Sequence, residues 1–595
     1  MGVFDKASLA LVPDGIKDGK LYSIKPTDGS GDFTFTRGSN LAATRVDENG
    51  LIKKGRENFV GFSNNFSIGK TSFGVTVSSG EAGYDGTNNA WKLIKSTSSG
   101  DYLRWLESGS LGTAVFTYSL YVKAGSLSYF VIWTTGGNQV YFELTGNGSV
   151  TYTQGSALLD SKIESVGNGW YRCSLTAYFN NTEVRFYPTT DGTPGVAGGT
   201  SGDFVYIQNF QAEYGLVATE YIDKVDYVTG GLAGILEALP RIDYTGGTPS
   251  LLMEPSRTNL ITQSEYLNGH SKNSSTLVNF SNTTCPIEGV RVSQIIDSNS
   301  GGNGRLALFQ IISLTASTTY TASIFAKADQ LNFIYFSFDG AATSSDKRVW
   351  FNLSTGQVGT ESGGATGSIE SFGNGWYRCI MVFTADNTGV VNTKIAPAET
   401  DNNINADRDG SSSVFATAMQ LEQGSYPTSY ISTYGATATR SNDSIPLQTI
   451  DPTSNNTFTV FFELHLDNMP LVSNEQFLNL KDFANTAIYQ SFRMFTRNGE
   501  HVITPYFNED STYAFGTNVD ANRSDTGKVV FRANGDGSYD MFIRFNGITT
   551  KRSASGLTAY NLGRIDFTIQ SPTNLKSFLV FDDPLSDADC ITLTT

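Results

Sequence analysis

The chain has 595 residues, and at ~150 residues per domain that length calls for several cores rather than one. Charged residues are only 16% of the sequence while aromatics reach 12% and glycine contributes 61 residues, which excludes a disordered acidic tail, a coiled coil and a helical rod. A net charge of −16 repels a phosphate backbone, so nucleic acid is not an expected partner.

Four cysteines, at 173, 285, 379 and 590, are too few for a disulfide framework in so long a chain. The opening MGVFDKASLALVPDGIKDGK lacks a basic then apolar signal pattern, and no later run approaches ~18 apolar residues. Neither a signal peptide nor membrane insertion is expected.

Residues 1–43 carry Lys-Asp-Gly turns and two short strand-like runs, with too little apolar material for a core of their own. They are expected to order against a partner. The dominant feature follows: IESVGNGWYRC at 163–173 returns as IESFGNGWYRC at 369–379, identical at all but one position. LYVKAG at 120–125 matches IFAKAD at 324–329, FQAEYGLVATEYI at 210–222 matches MQLEQGSYPTSYI at 419–431, and TRVD at 44–47 answers PRID at 240–243. Two homologous modules, 44–228 and 229–444, are therefore predicted, each far longer than a solenoid repeat.

Alternating apolar runs bounded by Gly, Asn, Ser and Thr read as antiparallel strands throughout, among them YSLYVKA, LSYFVIWT, VYFEL and TEVRFYP in the first module. GNG before each Trp-Tyr-Arg-Cys predicts a tight hairpin turn, with Trp170 and Trp376 opening the next strand and closing one end of a sandwich. Cys173 and Cys379 hold the same module position and are expected to pack singly.

Period-2 alternation puts Tyr129 and Trp133 on one side of a strand, and Phe333 and Tyr335 on the matching side in the second module. Tyr121 and Phe325 share the outward side of a second strand with Lys123 and Lys327. These six aromatics are candidates for a sugar platform, because sugar C–H faces stack on flat rings while hydroxyls take directional hydrogen bonds. The alternative is that the rings pack beneath a loop, a neighbouring module or an oligomer mate. In DNNINADRDG at 401–410, Asn405, Asp407 and Asp409 have the alternate spacing of a calcium loop, but the closing Glu is replaced by Ala416. Calcium is the sole ion considered, and no other cofactor is expected.

Residues 445–595 read as a third and different sandwich, with NGDG at 534–537 turning a hairpin and Ser586 capping a short last helix. The three histidines, His270, His465 and His501, are scattered, and neither H-E-x-x-H nor G-x-S-x-G occurs. Gly69-Lys70-Thr71 resembles the end of a phosphate loop, but the first Gly that motif requires falls at Asn64. No enzyme and no catalytic residue are expected; a polysaccharide depolymerase remains an alternative, since two carboxylates would suffice.

The sequence PRIDYTGG…SLLMEPSRTNLI, followed by a GNGWYRC hairpin, a QLE strand and GATATRSND, resembles modules of tailed-bacteriophage fibre and spike proteins, themselves similar to jelly-roll carbohydrate-binding modules. The C-terminal segment resembles concanavalin-like and laminin-G-like sandwiches. The resemblance implies an all-β multidomain protein of a phage virion surface, head or tail, assembled as a homotrimer and contacting a host surface glycan. It also implies that residues 1–43 anchor the chain to other virion proteins. A particle-decoration protein with no ligand is the other reading of the same resemblance.

Overall fold

The computed structural model describes residues 2–17, 19–97, 100–106, 112–180, 183–194, 198–228, 230–451, 453–465, 475–484, 489–497, 500–507, 519–521, 527–545, 547–570 and 572–595. The backbone alone is described for 13–17, 475, 489, 494–497, 500–502, 504–507, 519–521 and 545, so the side chain of His501 lies outside the described residues. The protein is almost wholly β, as its alternating sequence predicts. The α-helix Asp587–Thr594 begins where Ser586 Oγ accepts the Asp589 N–H at 3.2 Å, as the capping pattern requires.

Each module is a sandwich of two six-stranded antiparallel sheets, and the strand order is the same in both. In the first module one sheet runs Ser149–Gln154, Asn138–Glu143, Tyr129–Thr134, Glu183–Thr189, Tyr102–Leu106, Lys70–Phe73. We call it the platform sheet. The other runs Leu158–Gly167, Trp170–Asn180, Thr113–Ala124, Phe204–Tyr214, Ala90–Lys95, Val75–Glu81. We call it the bulge sheet. Alternate residues fill the space between them: Phe130, Ile132, Phe186, Leu103 and Trp105 from the platform sheet meet Phe116, Leu120, Val122 and Ile207 from the other. Asn168 and Asn374 take the left-handed backbone (φ 53° and 51°) that the GNG turns need. Trp170 and Trp376 then open the following strands, both buried, while Cys173 and Cys379 are free thiols in the two cores.

Two short hairpins precede the modules in sequence but pack elsewhere. Thr44–Val46 with Ile52–Lys54 reaches forward to the second module, where the Ile52 N–H donates to Pro286 O at 2.7 Å. Arg241–Asp243 with Ser250–Met253 reaches forward again, pairing Leu251 with Leu575 in the third sandwich. The sandwich strands of the modules thus begin at Lys70 and Ser271, later than the boundaries at 44 and 229 read from the repeat.

The strands of residues 1–43 pack within this chain, as part of the third sandwich. The strand Leu9–Lys17 pairs with Thr573–Phe581, next to Lys20–Lys25 and Phe33–Thr34, in a sheet continued by Thr457–His465 and Gly527–Asn534. Leu9, Leu11, Leu21, Phe33 and Phe35 share one core with Phe462, Phe531 and Phe578. The few apolar residues that cannot make a core alone complete one that already exists.

At the centre lies a buried ionic network. Arg241 donates to Glu254 at 2.9 Å, to the Thr44 carbonyl at 2.9 Å, and to Asp443. Arg440 meets the same Glu254 oxygen at 3.2 Å, and Arg37 lies 3.6 Å from Asp443. All five groups are buried. Burial alone would push the Glu254 carboxyl up, but Arg440 and Arg241 outweigh it and bring it down to about 2. A folded-state value below the usual 4.5 means that the contribution is complete above pH ~4.5 and fades as pH falls toward ~2. Glu254→Gln is therefore expected to destabilise the protein at pH 7 by ~3–5 kcal/mol, and to remove part of its acid sensitivity between those values, measured by urea melts across pH.

Candidate functional site

The outer face of the platform sheet carries two rows of side chains running across the strands. In one row Tyr152 stands opposite Tyr141, Tyr141 opposite Val131 and Val131 opposite Tyr187; Tyr187 packs on Tyr102 at 5.0 Å, and Tyr102 stacks on Phe73 at 4.7 Å. In the next row Gln154, Gln139, Trp133, Arg185 and Arg104 follow one another. Period-2 alternation generates the rows: each strand sends one set of residues to the core and the intervening set outward.

The two rows interlock. The Arg185 guanidinium lies 4.2 Å from the centre of the Trp133 ring and 4.7 Å from that of Tyr102, and Arg104 lies 4.6 Å from Phe73. Glu183 accepts from Arg185 and fixes it. Gln139 donates to Gln154 at 2.7 Å and accepts from the Tyr141 hydroxyl at 3.2 Å. Partial burial raises the Tyr187 phenol, which keeps its proton at neutral pH. Phe73 is 37% exposed and neighbouring Leu106 51%, so this end of the face is open to solvent. The surface combines flat apolar rings with guanidinium and amide donors, the chemistry that a sugar's C–H face and hydroxyls meet.

Of the six aromatics expected to form a platform, Tyr129 and Trp133 are on this face, both half-buried. The other four are placed differently. Tyr121 belongs to the bulge sheet and lies beneath Tyr84, the ring centres 3.7 Å apart, because the 82–89 loop folds over it. Phe325, its counterpart, is buried with Trp376, Ala418 and Tyr430. Tyr335 stacks on Trp350 under the 399–412 loop, where Tyr335 and Trp350 donate to the carbonyls of Ile404 and Asn403 at 3.3 and 2.8 Å; Phe333 is half-buried at the edge of that cluster. The expected open face repeated in both modules is thus corrected: its centre is buried in both, by Val131 and Tyr141 in the first and Tyr335 and Trp350 in the second, and the first keeps Tyr102, Tyr129, Trp133, Tyr152 and Tyr187 half-buried and Phe73 exposed around it. Sequence reading missed Phe73, Tyr102, Arg104, Tyr141, Tyr152, Arg185 and Tyr187. The alternation that places them was present in YLRWL and TEVRFYP.

The 401–410 loop serves as that cover. Asp401 accepts from the Thr360 N–H at 2.7 Å and Asp409 from the Ser411 N–H at 2.9 Å, while Asp407 pairs with Asn303 in a two-residue ladder beside Asn405. Asn405, Asp407 and Asp409 are held by turns and pairing, and among the described residues no three His, Cys, Asp or Glu side chains are grouped to hold a metal. Lys70 is likewise structural: its ammonium donates to the carbonyls of Gly61, Phe62 and Asn65 at 2.5–3.2 Å. His270 is buried on the Gln263 carbonyl and His465 bonds Thr248.

No protein-family model and no curated protein matches the chain. Among solved structures, it is similar to the N-terminal CBM22-1–CBM22-2 tandem domain of Xyn10C from Paenibacillus barcinonensis, at 11% identity over 65% of this chain and 100% of that one, with a TM-score of 0.20. It is also similar to GH43B of the xyloglucan PUL of Bacteroides ovatus, at 10% identity over 88% of this chain and 99% of that one, with a TM-score of 0.18. The expectation that the chain is not an enzyme stands against this finding, a GH43 glycoside hydrolase among the structures it is similar to, though that likeness assigns no activity to this chain.

The two modules provide a direct contrast. Ser337 takes the place of Trp133 in the second module, fully buried, with Arg305 and Arg348 donating to its hydroxyl at 3.3 and 3.2 Å. Ser337→Trp is expected to overfill that site and lower stability by ~1–3 kcal/mol, read as a lower melting temperature. Trp133→Ala on the open face is expected to leave the melting temperature nearly unchanged.

Proposed function

We propose that the protein binds a host-surface glycan through the open platform face of the first module, as a structural fibre protein on the surface of a bacteriophage particle. The observation that carries the binding reading is the accessible part of the two rows: Phe73, Tyr102, Tyr187, Tyr152 and Trp133, with Arg185, Arg104 and Gln139 set among them. Rings on a sheet are fixed by the backbone ladder, so little ordering entropy is lost when a saccharide lies down on them.

The phage-surface part of the reading is supported by the resemblance of the PRIDYTGG, GNGWYRC and GATATRSND segments to fibre and spike modules. Within it, the chain assembles as a homotrimer. Attachment to other virion proteins involves the third sandwich and residues 1–43 together, because those residues are strands of that sandwich. Light scattering on the purified chain checks the assembly, with a monomer counting against it.

Binding is tested by Trp133→Ala and Tyr102→Ala in affinity electrophoresis against host polysaccharide. Each is expected to weaken binding by ~1–3 kcal/mol while folding and assembly stay intact. Folded variants that bind as well as the parent would remove this face from the proposal and leave a decoration role without a ligand.

A further inference from the structure

The modules share a second feature, on the bulge sheet. Phe204–Tyr214 and Ser413–Gln423 each contain a bulge, at which Asn209 and Ala418 take the left-handed backbone, φ 54° and 56°. A bulge adds a residue to one strand and bends it, so a hollow forms beside it. The modules fill that hollow to different extents.

In the second module it is filled from within the chain. Ile52, from the first hairpin, joins Ile287, Phe325, Trp376, Ala418 and Tyr430 in one apolar cluster. Lys54 from the same hairpin is buried against Glu265 at 2.9 Å, and Glu288 N donates to the Ile52 carbonyl at 2.9 Å. Burial alone would lower the Lys54 ammonium, but the Glu265 carboxylate outweighs it and keeps the lysine charged.

In the first module Tyr84 gives the cover over Tyr121 and Trp170, and between it and Tyr221 an open cavity of about 550 Å³ remains, within the range of small-molecule pockets. Asn209 stands where Ala418 does, and Asn64 where Glu265 does. Tyr84, stacked flat on Tyr121, gives one wall and accepts a hydrogen bond from Asn209 at 3.2 Å. Tyr221, bonded to Ser63 and Asp223, gives another. Asn89 and exposed Asp223 complete a lining rich in amide and hydroxyl groups. Both hairpins of this chain are already committed, one to the second module and one to the third sandwich, so a second copy has neither to offer. The occupant must come from outside and match amides, hydroxyls and a carboxylate rather than Ile and Lys.

We propose that this cavity is a second binding site, separate from the platform face, for one neutral, multiply hydroxylated ring such as a hexose unit. The ring's C–H face lies against Tyr84, its hydroxyls donate to Asp223 and exchange hydrogen bonds with Asn64 and Asn209, and the carboxylates Asp85 and Asp223, set against Lys224, which lies 3.8 Å from Glu57, disfavour an anionic sugar. The inference does not depend on the platform reading, because it uses other residues on the other sheet.

The test is saturation-transfer NMR on the full chain with glucose, galactose, mannose and N-acetylglucosamine as probes, and glucuronate as the anionic comparison. At least one neutral sugar is expected to receive saturation, to keep it in Trp133→Ala, and to lose it ~fivefold or more in Asn209→Ala, about the worth of one or two hydrogen bonds. Ala418 shows that alanine holds this backbone, and Asp223→Ala, at an exposed side chain, gives a second variant that spares the fold. Asp223→Ala is expected to weaken neutral sugars and to relieve the exclusion of glucuronate. Absence of transfer to every neutral sugar, transfer unchanged in both Asn209→Ala and Asp223→Ala, or transfer abolished by Trp133→Ala would each overturn the proposal.

Discussion

The arrangement of the whole chain depends on five charged side chains taken out of water together. Arg37, Arg241, Glu254, Arg440 and Asp443 come from the N-terminal strands, the second hairpin and the segment leading to the third sandwich. A charge buried without a partner is costly, so none of these segments can leave its place without stranding another's side chain. Three guanidiniums face two carboxylates; the remaining positive charge is met by carbonyls of Ser39, Leu239, Ser429 and Pro255. The Arg241 bond to the Thr44 carbonyl also fixes the base of the first hairpin, whose tip carries Ile52 and Lys54 into the second module.

From that fixed frame the duplicated modules diverge through what covers them. Their strand orders, GNG turns and buried anchors coincide: Asn58 and Asn259 each donate to two carbonyls around a Gln-x-Glu strand, and Glu213 and Glu422 each receive the N–H of Thr219 or Thr428. The surfaces differ because the second module is roofed twice, by the 399–412 loop over Tyr335 and Trp350 and by the first hairpin over Phe325 and Trp376. In the first module the matching positions are covered by other means: Val131 and Tyr141 are buried on one sheet, and Tyr121 and Trp170 lie under Tyr84 on the other.

What could be read from sequence was what local chemistry decides. The repeat, the strands, the Asn-Gly turns and the Ser586 cap each depend on residues a few positions apart, and all are where the pattern puts them. Which face of Tyr129 and Trp133 points out was likewise legible, because alternation alone sets it. The fate of Tyr121 was not, since Tyr84 reaches it from a loop thirty-odd residues away, and nothing in the strand itself announces that cover. The transverse rows escaped for a related reason: they exist only once strand register is known, and register joins Phe73, Tyr102, Tyr187 and Tyr141 from distant parts of the chain. The segments PRID, MEP and TRSND stood out as motifs, and they prove to supply Arg241, Glu254, Arg440 and Asp443 to the central network.

The pairing of Leu9–Lys17 with Thr573–Phe581 also sets a timetable for biosynthesis. Ser8 and Asp582, hydrogen-bonded in the finished protein, are separated by 574 residues. At ~5–20 residues per second the earliest strands leave the ribosome roughly half a minute to two minutes before their neighbour exists. During that interval both modules can fold, while the opening strands wait with an unpaired edge and several apolar side chains uncovered. Thr573–Phe581 closes Leu9–Lys17, so the third sandwich is completed only after both modules have been made.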